Sequence, residues 1–307
     1  MAQVTPTRWH ALHAAQARDA QARVPFHIVD GERTLEVGSV ARVHLPALER
    51  WSGELLLNDA GVTLMVDAAA RERFFGTCNR ELRAQGLIVA WRDETYPVLA
   101  QATRELLATF ERAASRFWGT ITFGAHCNGY VADANGRPTH LWIARRSYTK
   151  PTDPGLLDNL IGGGVPHGQS PAEAVLREGW EEAGLLPAQM SGLAAGSELR
   201  VARDIPEGFQ LEWVSVYDLA LPDAVVPANQ DGEVAELMNL PVADALALAA
   251  TDQMTVDAGL VTLDFALRHG LLPADTHGAL QAALTPLRLG RAGPPAFNVF
   301  ESSQQQR

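Results

Sequence analysis

Residues 163–185 read GGVPHGQSPAEAVLREGWEEAGL, and the segment REGWEEAGL within them decides how the second half of this chain is understood. It sets Glu178, Glu181 and Glu182 at spacings of three and four. On a helix those spacings place three carboxylates on one face. Like charges so placed destabilise a helix by about 0.2–0.5 kcal/mol per pair, and a divalent cation reverses the sign of that interaction. Hard oxygen ligands suit Mg²⁺ or Mn²⁺, which reach proteins through carboxylates together with substrate phosphates. The expectation is a metal-dependent enzyme acting on a phosphorylated substrate.

Most glutamate clusters are solvated surface faces, but the flanking residues weigh against that here. Ser170, Pro171 and Glu173 have the order of a capping box with proline at the first helical position. The helix is entered from a turn dense in glycine, Gly162, Gly163, Gly164 and Gly168, and Gly184 suits a left-handed cap at its end. Steps of about 100° per residue put Ala172, Leu176, Gly179 and Ala183 on one side, expected to be buried. The carboxylates fall roughly opposite.

This segment resembles the signature of the Nudix hydrolases: Gly, five residues, Glu, seven residues, Arg-Glu, an apolar residue, any residue, Glu-Glu, any residue, Gly, and a final apolar residue. Gly163, Arg177, Glu178, Glu181, Glu182, Gly184 and Leu185 match in register. Gln169 stands where the first Glu belongs, and Gly179 where an apolar residue belongs. Gln169 accepts hydrogen bonds but carries no charge. Gly179 costs about 1 kcal/mol of helix propensity, which suggests close packing at that point. The resemblance implies that Glu178, Glu181 and Glu182 coordinate Mg²⁺ or Mn²⁺ and that Arg177 orients them by ion pairing. It implies attack of water on a diphosphate linkage. Glu233, in NQDGEVAELMNLP, is the downstream candidate for general base or extra ligand, with Glu236 its competitor.

The bulk properties agree. At 307 residues the chain exceeds what one core usually supports, so two domains are expected. A net charge of −11 argues against a general nucleic-acid binder. The N-terminus lacks an apolar run fit for a secretory signal, and no stretch suits a membrane span, so a cytoplasmic protein is expected. Cys78 and Cys127 imply no disulfide framework and are expected to be buried.

Organisation changes near residue 118. Residues 1–118 read as a small α+β domain: an Ala-rich helix near 8–22, short β-prone pieces, a helix near 67–85, the strand LIVAWRDETYPV, and a helix near 98–117. Residues 119–288 have the element order of a Nudix α/β/α sandwich with a mixed sheet. ITFGAHCNGYVAD and THLWIARRS read as strands joined at the Asn-Gly of ADANGRP, and helices are expected near 256–269 and 275–286. Residues 289–307 read as a loosely ordered tail. The fold class is thus α/β joined to α+β.

The segment ARRSYTKPTDPGLLDNLIGGG brings Arg145, Arg146 and Lys150 just before the acidic helix, in a chain short of positive charge. Arginine offers a planar fork to phosphate oxygens and lysine a point charge; strand alternation turns one of Arg145 and Arg146 to the far side. Arg-Ser, Lys, Pro-Gly and Asp-Asn here, with WRDETYPV, FERAASRFWGTITFGAHCNGYV and LDFALRHG, resemble one Nudix branch. In it an N-terminal domain of uncharacterised role precedes the Nudix domain, and the pair is fused to thiamine pyrophosphokinase in fungi. That resemblance implies hydrolysis of thiamine diphosphate or its damaged analogues to the monophosphate, a house-cleaning reaction. Oxidised nucleoside diphosphates or nucleotide sugars are the alternative. Trp118, Phe123, His126 and Tyr130 are the candidates for stacking on a heterocycle, with core packing the plainer expectation for aromatics beside strands. Asn128 and Asp158 are weaker candidates.

Two other classes compete. Isopentenyl diphosphate isomerase, a Nudix relative, needs a cysteine directly after this segment, where the chain reads LIGGGVPHG. A non-hydrolytic ligand-sensing Nudix domain gains weight from Gln169 and loses it from the retained Glu181–Glu182 pair. The N-terminal domain is expected to cover the substrate cleft or to form a homodimer interface.

Overall fold

Val24, Phe26 and Ile28 alternate along β1 (Arg23–Asp30) and are buried, the period-two pattern of a sheet with one covered face. In the computed structural model, which describes residues 8–289, β1 lies inside a four-stranded sheet. Its order is β2-β1-β4-β3, with β2 (Arg33–Ala41), β3 (Leu55–Asn58) and β4 (Gly61–Leu64). After the short α2 (Leu45–Leu48), the long α3 (Ala68–Ala84) sets Phe74, Phe75, Cys78 and Leu82 against the core. A separate hairpin, β5 (Thr95–Leu99) with β6 (Leu106–Glu111), and α4 (Ala114–Trp118) complete this half. Phe26, Phe75, Phe110, Phe117 and Trp118 share one core, with the Phe26 and Trp118 rings 4.6 Å apart.

Of the helix expected near 98–117 only the end forms, as α4. Tyr96 pairs with Phe110 and Val98 with Ala108 across the hairpin, and Leu107, Ala108 and Phe110 are buried. Strand pairing and burial override the helix propensity of this Ala-, Glu- and Arg-rich stretch. The Ala-rich helix expected near 8–22 shrinks to α1 (His10–Ala14). It joins the second half: Trp9 donates from Nε1 to the Gly259 carbonyl at 2.8 Å, and His10 N donates to the Ala250 carbonyl at 2.9 Å.

The second half is built on seven strands: β7 (Ile121–Ala132), β8 (Pro138–Arg146), β9 (Leu157–Asn159), β10 (Ile161–Gly164), β11 (Ala194–Ile205), β12 (Gly208–Ala220) and β13 (Val234–Pro241). The main order is β11-β12-β7-β8-β13, with β10 on β7 and β9 on β8. β12 and β7 run parallel and the other pairs antiparallel, so the sheet is mixed. The helix α5 (Pro171–Ala183) covers one face through Ala174 and Val175. The other face packs on α1, α6 (Val242–Ala249), α7 (Val256–Arg268) and α8 (Ala274–Leu284). This is the expected α/β/α sandwich; α6 was not anticipated. The β7–β8 turn is held by Asp133, whose Oδ1 accepts from Asn135 N and Arg137 N. Cys78 and Cys127 are both buried and free. Of the tail expected over 289–307, residues 290–307 lie outside the described residues. Among the described residues no helix is long and apolar enough to cross a membrane.

Candidate active site

The acidic helix begins and ends as its sequence requires. Ser170 Oγ accepts from Glu173 N while Glu173 Oε2 accepts from Ser170 N, a complete capping box. Gly184 closes α5 at a φ of 64°, in the left-handed region that glycine occupies without strain. The buried side differs from the expected one. Leu176 is 39% exposed, whereas Ala174, Val175, Gly179, Glu182 and Ala183 are buried. Glu182 therefore shares the covered side with Gly179, and the carboxylates are not opposite the core but at its edge. Close packing at Gly179 is real: a Cβ there would lie 2.6 Å from Met190 Cε and Sδ.

Three bare backbones in β10 let side chains converge beside this helix. A Cβ on Gly163 would collide with the Glu178 carboxylate, one on Gly164 with Tyr96 Oη, and one on Gly162 would lie 2.8 Å from His126 Nδ1. Glu182, 5% exposed, accepts from Gly162 N at 2.9 Å and faces Lys150 Nζ at 3.8 Å. Arg177 ties the other two, 2.8 Å from Glu178 and 2.9 Å from Glu181. It thus ion-pairs with its neighbour Glu178 as well as with its i,i+4 partner Glu181. Burial, then the neighbouring Glu178 charge, holds the Glu182 carboxyl well above the usual range, against the opposing pull of Lys150. Burial also raises Glu178, with Arg177 opposing.

Two loops complete this end. The segment after β12 is pinned to the end of α5, with Ala228 N bonded to the Ala183 carbonyl and Gln230 N to the Glu181 carbonyl. It delivers Asp231 and Glu233 to a cavity of about 220 Å³ that Lys150, Arg146, Arg177, Glu178 and Glu181 also line. Lys150 Nζ donates to Glu233 Oε2. Burial pushes the Glu233 carboxyl up, and the bond and charge of Lys150 outweigh it, so the net shift is downward. Arg146 lines the cavity while its guanidinium is braced by Asp158 at 2.8 Å and by the Thr152 and Asp153 carbonyls. Arg145 and Glu236 pair with each other at 3.2 Å and line neither of the two cavities here. Strand alternation explains the split between Arg145 and Arg146.

The opposite wall comes from the N-terminal half. Arg92, Glu94 and Arg112 line the small cavity, and Arg92, Arg112 and Arg116 line a larger adjoining cleft of about 490 Å³. The two share Arg92, Arg112, Arg146 and the β10 glycines. His126, Asp158, Gln210, Glu212 and Asp257 also line the cleft. Sequence reasoning missed Asp231, Gln210, Glu212, Asp257 and the N-terminal arginines as site residues. Arg92 and Glu94 lie inside WRDETYPV, a stretch noted only for its resemblance. The aromatic candidates turn out to be packing residues. Trp118 is fully buried and bonds Asn79 at 2.8 Å, Phe123 packs edge-on to Trp213, and Tyr130 packs on Phe265. Gln169 Oε1 is buried without a hydrogen-bond partner.

The donor chemistry of the acidic end suits a hard divalent cation: carboxylate oxygens from one helix, two more at the rim, and a glycine backbone that clears room for Glu178. Among the described residues no three His, Cys, Asp or Glu side chains are arranged to hold a metal ion; Arg177 and Lys150 compensate the carboxylates instead.

Residues 125–258 match the NUDIX domain family, and residues 9–122 match the Domain of unknown function (DUF4743). The chain therefore carries a NUDIX domain behind a DUF4743 domain. It is 36% identical over 197 residues to Nudix hydrolase 20, chloroplastic, of Arabidopsis thaliana, covering 64% of this chain and 52% of that protein. To Nudix hydrolase 24, chloroplastic, of the same plant it is 34% identical over 236 residues, covering 75% and 62%. The chain thus spans only about half to three-fifths of these relatives. A solved Deinococcus radiodurans structure, DR0079, superimposes with a TM-score of 0.41 at 23% identity, over 56% of this chain and 99% of that one.

Proposed function

We propose that the protein is a divalent-metal-dependent diphosphate hydrolase that converts thiamine diphosphate, or its damaged analogues, to the monophosphate. The observation that carries the reaction is the convergence of Glu178, Glu181, Lys150 and Glu233 on one cavity that Arg92, Arg112 and Arg146 also line, with the buried Glu182 3.8 Å from Lys150. The substrate, and the kinship with the Nudix part fused to thiamine pyrophosphokinase in fungi, rest on the resemblance of the motifs.

In this reading Arg92, Arg112 and Lys150 bind the diphosphate oxygens through charge-assisted hydrogen bonds. Arg146, braced on Asp158, holds the loop that carries Lys150. Glu178, Glu181 and Glu182 would hold Mg²⁺ or Mn²⁺, and the bound ion would supply positive charge against the phosphoryl oxygens. Water oxygen bonds to the terminal phosphorus as the bridging P–O bond breaks, giving orthophosphate and the monophosphate. Glu233, a carboxylate held in its charged form by Lys150 at Oε2, takes the proton of that water at its other oxygen, Oε1. The Cys127 thiol is buried and pushed up by burial, and no cysteine stands where the isomerase requires one.

The test is phosphate release with Mg²⁺ and then Mn²⁺ across a panel: thiamine diphosphate, its oxo and oxy analogues, oxidised and normal nucleoside diphosphates, ADP-ribose and dinucleotides. The Glu182→Gln protein is the blank. Turnover confined to thiamine-type compounds supports the full reading; turnover on nucleotides alone replaces the substrate. A second reading, ligand sensing without hydrolysis, is favoured by Gln169 and by carboxylates already paired with Arg177 and Lys150. Saturable binding with silence across the panel would establish it. The cytoplasmic location and the absence of nucleic-acid or membrane partners belong to the same proposal, to be checked by fractionation. A homodimer is the expected assembly if light scattering gives twice the chain mass.

A further inference from the structure

Another cavity, of about 340 Å³, opens at the seam between the two halves and shares no lining residue with the catalytic cavities. Three arginines enter it from different elements. β11 sends Leu199 and Val201 into the core with α7 and so turns Arg200 to the other face. Arg18 is held beside the same strand by bonds on either side of it. The Ala17 carbonyl accepts from Asp204 N at 2.9 Å, and Asp19 N donates to Asp204 Oδ2 at 2.7 Å. Arg23 comes from β1, with its guanidinium 4.8 Å over the Phe209 ring.

These cations have donors to spare. Among the described residues none of the three forms an ion pair, and the Arg18 and Arg200 side chains make no hydrogen bond. Arg23 Nε donates to Ser39 Oγ at 2.8 Å, and Nη2 donates to the Ser39 and Phe117 carbonyls. Both hydrogens on Nη1 are left over, and Ser39 Oγ keeps its own hydrogen to donate. Burial lowers the Arg23 pKa to about 10, with Asp204 opposing. Burial and then the Arg18 charge lower that of Arg200. Desolvation and like charge thus both work against these cations, and an anion offsets both. Asp19 and Glu36 also line the cavity, but neither pairs with an arginine, and Asp19 Oδ1 is spent on Gln21 N.

The shape of the donor set selects the anion. A carboxylate presents two oxygens in one plane, whereas donors arriving from β1 and from β11 call for oxygens out of one plane, as on a phosphate. Val24, Phe209 and Leu211 leave an apolar floor beside them. We propose that Arg18, Arg23 and Arg200 form a binding site for a phosphate monoester with a small apolar body, seated across the seam and separate from the hydrolytic site. Arg18 and Arg200 are exposed and Arg23 half-buried, so the ligand enters from solvent. The site does not depend on the diphosphate reading.

The test is calorimetric titration of the full chain in EDTA with phenyl phosphate, and with benzoate as the planar control. Phenyl phosphate should bind saturably, and benzoate about tenfold or more weaker. Arg18→Gln and Arg200→Gln remove side chains that bond to nothing else in the protein, so their melting transitions should match wild type. Each should weaken phenyl phosphate by about tenfold or more, the value of a charged hydrogen bond. Lys150→Ala, a change in the catalytic cavity, should leave that affinity within about twofold, as for independent sites. No saturable binding to the wild-type chain, or benzoate bound as tightly as phenyl phosphate, overturns the site. So does an affinity that survives both arginine substitutions, or one that falls with Lys150→Ala alone and thereby places the phosphate in the catalytic cavity. Phosphate release from diphosphates should be unchanged in Arg200→Gln, so failure of this site and failure of the diphosphate reading are seen separately.

Discussion

The two walls of the cleft were written into the chain in different ways. The wall formed by α5 and β10 is local: three carboxylates at i, i+3 and i+4, entered through a capping box and closed by Gly184. Helical geometry alone brings them together. The facing wall draws Arg92 and Glu94 from one side of a hairpin and Arg112 and Arg116 from beyond the other. Nothing joins those four until β5 pairs with β6 and the N-terminal half packs beside the NUDIX domain. A short-range pattern announces chemistry; a wall assembled from two domains announces itself only in the fold.

The sharpest way to break this comparison is to remove charge from the local wall. Glu182→Gln should lower turnover by about 100-fold or more, since even outer partners of metal ligands cost about 10–100-fold when removed. The same protein should melt no lower than wild type. Burial holds the Glu182 carboxyl well above its ordinary range, so the charged folded form loses stability as pH rises, and a neutral amide escapes that loss. Parallel kinetics and thermal melts check both halves; a large drop in melting temperature would make Glu182 a structural residue.

Lys150→Ala comes next. It removes the donor to Glu233 and the cation opposite Glu182. Weaker substrate binding by about 1.5–3 kcal/mol is expected for a lost charged hydrogen bond, and an unchanged KM counts against phosphate contact. Smaller again is the effect expected from the facing wall. Arg92→Ala takes a cation from the rim, where charges are worth about 0.2–1 kcal/mol, and should raise KM with little change in kcat. If Arg92→Ala instead lowers kcat as deeply as Glu182→Gln does, the two walls are not unequal, and the N-terminal domain belongs to the chemistry itself.

Legibility followed the same division. The sandwich, the Asn-Gly turn, α3, α5 and α7 were readable because periodicity, caps and turn residues agree with one another there. The stretch 98–117 was misjudged because Ala, Glu and Arg favour a helix locally, while burial of Leu107 and Phe110 and pairing with β5 decide for a strand. Lys150, Arg146 and Glu233 were readable as charges near the motif, and the fold brings them together. Asp257 and Glu212 were not, because each is an ordinary acid in sequence. Only the crossing of α7 over β12 sets them around Gln210.

The smallest expected effect tests how firmly α5 is seated. Gly179 breaks the signature's apolar position, and its helix penalty of about 1 kcal/mol is tolerated because Met190 fills the space a side chain would take. Gly179→Ala regains that propensity and pushes a Cβ to within 2.6 Å of Met190 Cε and Sδ. Those atoms end a flexible chain that has room to swing, so gain and strain should nearly cancel. The net change in unfolding free energy should stay within about 1 kcal/mol of zero. Gly179→Leu has no such escape, because Ile161 Cδ1 lies 3.2 Å from the same Cβ position, and overpacking there should cost about 1–3 kcal/mol. Urea denaturation of the pair checks the difference. If leucine is accepted as readily as alanine, α5 floats on its sheet, and the carboxylates it carries are not held by the packing described for them.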